Sequence, residues 1–348
     1  MADIHIRREG RAGRISLTRA KALNALSYDM CMAIDAALVD WADDDSVAII
    51  VIDAQGQKAF CAGGDIAQMY ETGRAGDFSY GRKFWADEYR MNARLAEYGK
   101  PVVSFLQGFV MGGGVGVGCH ASHRVVCESS QIAMPECSIG LIPDVGGTYL
   151  LARAPGQLGA YLGLTGARMG AGDAIRAGFA DLFVPEADWD SIKAALVASG
   201  NTDALDAGTQ APQGQLAAHQ GLIDAAFGHA LLADIVASLD RDGSDFAQRT
   251  AATLRRNSPL AMACALEMLH ARSKHATIRD ALAREFRFTW RSMEHADFLE
   301  GIRAAIIDKD RTPHWRHDSI DAVRGADVAA MLASLGPDEL TFATSGKD

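Results

Sequence analysis

The chain has 348 residues, 49% of them apolar and 22% charged, and its 34 basic against 44 acidic side chains leave a formal net charge of −10. This is the composition of a globular enzyme with core enough for one large or two ordinary domains, and its acidity argues against nucleic acid or an anionic membrane as the main partner. No apolar leader opens the sequence and its longest aliphatic run, 47–52, is far too short to cross a bilayer, so a cytoplasmic location is expected.

In chain order, Ile4 to Arg7 and Arg14 to Leu17 read as a hairpin closed by Glu9-Gly10. Ser27 is placed to cap a helix reaching about Trp41, with Met30, Ile34, Leu38 and Trp41 on one face. A buried strand is predicted at 47–52, a long helix at 81–98 and a strand at 102–106. A short helix starts within 112–118, and another strand follows at 124–127. Beyond about residue 195 the character changes. An Ala-, Gly- and Gln-rich stretch at 204–218 precedes five helical patterns, at 222–239, 244–256, 260–273, 278–291 and 297–307. The expectation is an α/β core over 1–195 that holds the active site, then a mostly helical region over 196–348. Six cysteines (Cys31, Cys61, Cys119, Cys127, Cys137, Cys264) show no CxxC spacing and read as reduced, buried thiols. His120 and His123 lack a carboxylate or thiol at ligand spacing, so no metal is expected.

Three segments can carry chemistry. Residues 58–66, KAFCAGGDI, follow the buried strand and run into a helix start that Asp65 is placed to cap. Gly63 and Gly64 free the backbone there to approach a ligand and aim N–H groups at it, although an ordinary strand-to-helix turn would read the same way. Residues 108–118, GFVMGGGVGVG, are again strand, turn and helix start. They lack P-loop and dinucleotide spacings, which disfavours a phosphate cradle and a redox role. What remains is a helix N-terminus stripped of side chains, suited to developing negative charge, or simply to close packing.

The third segment, 133–148 (AMPECSIGLIPDVGGT), places Glu136 and Asp144 eight residues apart, each after a proline and among apolar neighbours. Carboxylates so placed have raised pKa values and serve as acid, base or nucleophile, unless they only cap short helices. In the helix at 81–98, Phe84, Glu88, Met91 and Leu95 fall on one stripe. Either Glu88 is buried on an apolar face, which needs a reason, or Trp85 and Tyr89 turn inward and Glu88 faces water.

In order and spacing, AKALNALS, FCAGGDI, GFVMGGGVG, AMPE and GLIPDVGGT resemble the crotonase (enoyl-CoA hydratase/isomerase) superfamily. The resemblance implies a spiral of repeated strand–strand–helix units with a helical C-terminal region, and coenzyme A thioester substrates. It implies an oxyanion hole formed by the peptide N–H groups of Gly64 and Gly113. It also implies a coenzyme A site along Lys21, Ala22, Leu23, Ala62, Gly63, Asp65 and Ile66. Hydratases of the superfamily resemble one another in pairing two catalytic glutamates; the position of the first is Gly116 here and that of the second is Glu136. Asp144 stands where hydratases often carry glycine.

That combination resembles the 3-hydroxyisobutyryl-CoA hydrolase branch. So do ADEYRMN at 86–92, DFLEGIRAAIIDKD at 297–310 with Pro313 and Trp315, and SLGPDELTF at 334–342, which extends the likeness over nearly the whole chain. The branch implies hydrolysis of a short 3-hydroxyacyl-CoA in valine catabolism, with Glu136 and Asp144 catalytic and Glu88 and Gly116 against the substrate. It implies no cofactor beyond the coenzyme A of the substrate, and leaves homo-oligomerisation open. Enoyl-CoA hydration or isomerisation is the alternative within the superfamily. A non-catalytic coenzyme A- or RNA-binding relative is a more distant one, and the acidic balance disfavours RNA.

Overall fold

β1 (Ile4–Glu9) and β2 (Ala12–Leu17) pair antiparallel across the Gly10 turn, Ile4 opposite Leu17. This hairpin edges the larger sheet of a computed structural model that describes residues 3–271 and 277–342. From β2 onward the sheet is parallel. β3 (Ile49–Ala54), β5 (Val102–Leu106), β7 (His123–Val126) and β9 (Leu182–Phe183) add in turn, in the order β1-β2-β3-β5-β7-β9. A second, three-stranded parallel sheet holds β4 (Ala59–Cys61), β6 (Phe109–Met111) and β8 (Gln131–Ala133).

The chain therefore visits the large sheet, then the small one, three times over: β3 then β4, β5 then β6, β7 then β8. Each visit leads into helix, at Ala67–Arg74, at Gly113–Gly118 and at the short 3-10 turn Glu136–Ile139. This is the expected spiral of strand–strand–helix units. β3 carries the continuous apolar run that a parallel strand covered on both faces requires, and Ile49, Ile50, Val51 and Ile52 are all fully buried. Val51, Val103, Phe105 and Val125 pack against Trp189, Ile192 and Leu196 of the helix Trp189–Ser199.

The chain divides into two compact units that alternate along it. The first runs to Asp65 and resumes at Met91–Met134 and Arg168–Ala218; the second is Ile66–Arg90, Pro135–Ala167 and the chain from His219 onward. Every strand named above lies in the first unit. The second is built of helices, among them Asp245–Arg256, Pro259–His270 and Ile278–His295, whose N-termini are capped by the side chains of Ser244, Ser258 and Thr277. No described helix is long and apolar enough to cross a membrane.

Some boundaries differ from expectation for local reasons. The strand at 47–52 starts later, at Ile49, because Val47 closes the preceding turn through its N–H on the Asp44 carbonyl. The helix expected at 222–239 is two, Gln220–Phe227 and Leu232–Asp242, broken at Gly228 and at Leu231, whose backbone is extended. The one at 260–273 ends at His270, and positions 272 and 273 lie outside the described residues. The pattern at 297–307 is a short α-helix, Phe298–Ile302, running into a π turn over Arg303–Ile307. There the Arg303 guanidinium binds Glu300, Asp308, Asp310 and the Thr312 carbonyl, folding the segment back on the helix end. Asp308 and Asp310 are the two acids of the DKD pattern, so that motif works as an anchor for the loop leading to Trp315, whose indole N–H donates to the Arg256 carbonyl at 2.9 Å.

Candidate active site

In the first unit, two glycine turns leave neighbouring parallel strands. β4 and β6 pair directly, and each ends in glycines, at Gly63-Gly64 and at Gly112-Gly113-Gly114. Gly112 has φ +50°, a backbone shape that side chains disfavour, and it turns the chain abruptly into the helix Gly113–Gly118. Gly114 is required by closeness: a Cβ there would lie 2.2 Å from the Cys61 carbonyl oxygen. A parallel bridge joins Leu26 to Gly64 through Leu26 N–H to the Gly63 carbonyl and Asp65 N–H to the Leu26 carbonyl. In that pattern the peptide N–H of Gly64 itself points away from Leu26, out of the pairing. Gly116 is buried inside the short helix and brings no side chain.

The residues expected along a coenzyme A moiety gather at the same turns. Lys21 and Ala22 sit in a short 3-10 turn, and the Leu23 carbonyl accepts the Ala62 N–H at 3.0 Å. Asn24, fully buried, donates its amide to the Gln55 and Ala59 carbonyls at 2.9 Å each and holds that turn in place. Lys21 and Ala22 are exposed, whereas Leu23, Ala62, Gly63, Gly64 and Asp65 are half-buried, so the row presents an accessible rim. Asp65 does not cap the next helix. Ile66, also half-buried, occupies the cap position with no side-chain bond, and the Asp65 carboxylate is taken by Arg19 at 3.0 Å.

Among the described residues of the second unit, the buried carboxylates Glu88, Glu136, Asp144 and Glu285 are close enough to act on one another's charge. Glu88 belongs to the helix Ser79–Ala96, where Phe84, Trp85 and Tyr89 are buried as well. Glu88 is thus buried and does not face water, and Trp85 and Tyr89 turn inward as well, because the helix is covered on more than one side. Glu136 opens the 3-10 turn after β8, and neither it nor Asp144 caps a helix through its side chain. Asp144 precedes a turn in which Val145 (φ +52°) and Gly146 (φ +78°) are both left-handed, leading into the helix Gly147–Leu151. That helix is capped from far along the chain. Glu285 accepts the Gly146 N–H at 2.8 Å, the Thr148 N–H at 3.0 Å and the Thr148 hydroxyl. Tyr89 donates its hydroxyl to Asp144 Oδ2 at 2.7 Å.

Burial governs this cluster, with charge repulsion added at Glu88, Glu136 and Glu285. Burial, followed by the charge of Asp144, holds the Glu88 carboxyl well above the usual carboxylate range. Burial, then Asp144 and Glu285, does the same to Glu136. Asp144 is pushed up to about 7 by burial, against the Tyr89 hydrogen bond that lowers it. Glu285 also rises to about 7 through burial, opposed by its bonds to Thr148 and Gly146. Among the described residues, no cation is named among the main groups acting on any of the four. At neutral pH such a set retains protons that isolated carboxylates would have lost. Glu88 Oε1 and Glu136 Oε2 are buried and have no hydrogen-bond partner among the described residues. Buried polar atoms are rarely left so without a function.

Tyr89 and Glu285 as polar members of the cluster were missed from sequence. A signal for Glu285 existed: Ala281, Leu282, Glu285, Phe286 and Thr289 form one buried stripe of the helix Ile278–His295, the same clue that singled out Glu88.

A family model described as enoyl-CoA hydratase/isomerase matches residues 12–332. The chain belongs to the enoyl-CoA hydratase/isomerase family. It is similar to the mitochondrial 3-hydroxyisobutyryl-CoA hydrolase of Rattus norvegicus, at 37% identity over 98% of this chain and 91% of that one. Against the Homo sapiens protein of the same name the identity is 34% over 98% and 91%. Among solved structures it resembles an enoyl-CoA hydratase from Rhodobacter sphaeroides 2.4.1, with TM-score 0.95 and 57% identity over 98% of this chain and 100% of that one. It also resembles a carnitinyl-CoA dehydratase from Mycobacterium thermoresistibile, with TM-score 0.94 and 40% identity over 98% and 99%. The protein is accordingly a crotonase-superfamily enzyme of coenzyme A thioesters.

Proposed function

We propose that this enzyme hydrolyses a short 3-hydroxyacyl-CoA, 3-hydroxyisobutyryl-CoA before others, to the free hydroxy acid and coenzyme A. The observation that carries the reading is the placement of its acids. Gly116 offers no carboxylate where a hydratase of the paired-glutamate kind has its first, and the second acid accompanying Glu136 is Asp144. The curated hydrolases, similar over nearly the full chain, support it. So does the tail, whose DKD acids and Trp315 form an ordered anchor.

The chemistry assigned to each residue follows from what it can do. Peptide N–H groups of Gly64 and Gly113 receive the thioester oxygen as it becomes an oxyanion. Glu136, in the fraction of molecules where it has lost its proton, takes a proton from water as the water oxygen bonds to the carbonyl carbon. Collapse of the tetrahedral species breaks the C–S bond, and the same proton passes to the departing thiolate. Asp144, with one oxygen held by Tyr89, accepts the substrate 3-hydroxyl through the other. Glu88 adds a second polar contact to the substrate, and Gly116 leaves room for it.

The names of the similar solved structures favour a second reading, addition of water to an enoyl-CoA. Thiol release separates the two. The hydrolase reading expects free coenzyme A from 3-hydroxyisobutyryl-CoA and much less from isobutyryl-CoA, which lacks the hydroxyl that Asp144 is assigned to hold. Equal rates on both would remove Asp144 from substrate recognition. A one-methyl difference is worth only about 1–3 kcal/mol, so 3-hydroxypropionyl-CoA is expected to be a slower substrate and not an excluded one.

A further inference from the structure

Glu285 has no role in the chemistry above, yet it is completely buried and reaches 139 residues back along the chain to hold Gly146. A helix N-terminus is ordinarily capped by a neighbouring Ser, Thr, Asp or Asn at little cost. Here the cap is a buried glutamate placed beside another carboxylate, an expensive arrangement for a merely structural task. Its two oxygens divide the work: Oε2 takes the Gly146 N–H, and Oε1 takes the Thr148 N–H and hydroxyl. The turn so clamped is the left-handed Val145-Gly146 pair that directly follows Asp144. On the other side, Tyr89 holds Asp144 Oδ2 and lies 3.5 Å from the Thr289 hydroxyl, one helical turn beyond Glu285. Glu285 and Tyr89 together leave the Asp144 carboxyl little freedom to rotate or shift.

We propose that Glu285 is a positioning residue, which clamps the Asp144 turn and so fixes the Asp144 oxygen not held by Tyr89. This deepens the hydrolase reading and rests on it for the substrate that Asp144 meets. The groups facing Glu285 are Asp144, Thr148 and the Gly146 N–H from the turn and its helix, Tyr89 from the helix Ser79–Ala96, and Thr289 on its own helix. Its charge also acts on Glu136.

The test compares Glu285→Gln with the parent enzyme in two ways. A glutamine can keep one oxygen for Thr148 but turns an N–H toward the Gly146 N–H, so the clamp opens on one side. With 3-hydroxyisobutyryl-CoA, kcat is expected to fall roughly 10²-fold, the usual cost of a misplaced reacting group, and the double variant Asp144→Asn/Glu285→Gln to be little worse than Asp144→Asn alone. Independent of any substrate, a carbon-13 titration of the side-chain carboxyls should show Asp144 and Glu136 losing their protons at lower pH in Glu285→Gln, because a like charge has gone. If Glu285→Gln does not fold, Thr148→Val, which removes one donor and keeps the carboxylate, should show a smaller kcat loss and a moved Asp144 titration. Wild-type kcat together with unmoved titrations in the variant that folds would overturn the proposal. An unaltered enzyme that releases no thiol would overturn the hydrolase reading instead, and the Asp144 titration in Thr148→Val, where no charge is lost, would still decide the role of Glu285.

Discussion

The glycine turns of the first unit and the carboxylate cluster of the second are suited to their proposed chemistry by opposite means. The first offers backbone N–H groups, and its glycines matter for what they lack: a Cβ at position 114 would strike the Cys61 carbonyl. The second offers side chains, and Glu88, Glu136, Asp144 and Glu285 matter for charges that burial makes costly. The contrast predicts how each fails. Backbone machinery fails by added bulk and resists truncation, whereas side-chain machinery fails by isosteric replacement and should gain stability as it does so.

The sharpest break is expected from Glu136→Gln. With Glu136 as the proposed base, removing it while keeping shape should lower thiol release by about 10³-fold or more, with an unchanged circular dichroism spectrum. Next comes Gly114→Ala, where the new methyl must push the Gly113–Gly118 helix from β4. Loss of a donor position typically costs roughly 10²-fold, and kcat measured alongside the melting temperature would register it. Tyr89→Phe should cost about tenfold, the worth of one hydrogen bond to a charged group. Because the Tyr89 hydroxyl lowers the Asp144 pKa, the limb of the pH–rate profile that follows Asp144 ionisation should move to higher pH. An unmoved limb would separate Asp144 from the rate.

The smallest effect is on stability, and its sign is opposite. Asp144 rises from 3.8 to about 7 on folding, so its contribution is complete below pH 4 and declines as pH rises through 7. Asp144→Asn, which keeps the Tyr89 contact, should therefore melt about 2–4 °C higher than the parent at pH 8 and no higher at pH 4. A lower melting temperature at pH 8 would mean that the ionised carboxylate stabilises the fold.

How much of this was legible in the sequence depends on how far each interaction reaches. Short-range patterns read well: Ser27 caps its helix and 102–106 is β5, while the three visits to the two sheets were implied by the family resemblance. Glu136 and Asp144 stood out because apolar neighbours in sequence stayed apolar neighbours in space. Glu88 could be posed only as an alternative to Trp85 and Tyr89, since a helical wheel assumes one buried face and this helix has more. Asp65 looked like a cap until Arg19, 46 residues away, took its carboxylate. The clamp by Glu285 was invisible for the same reason: no local pattern joins Gly146 to a residue 139 positions later.

The central claim, hydrolysis of a thioester by a chain that also resembles hydratases, is tested most directly by running two assays on one preparation. Thiol release from 3-hydroxyisobutyryl-CoA is expected, with no loss of the enoyl absorbance of crotonyl-CoA. Loss of that absorbance without thiol release from the hydroxy thioester would contradict the claim.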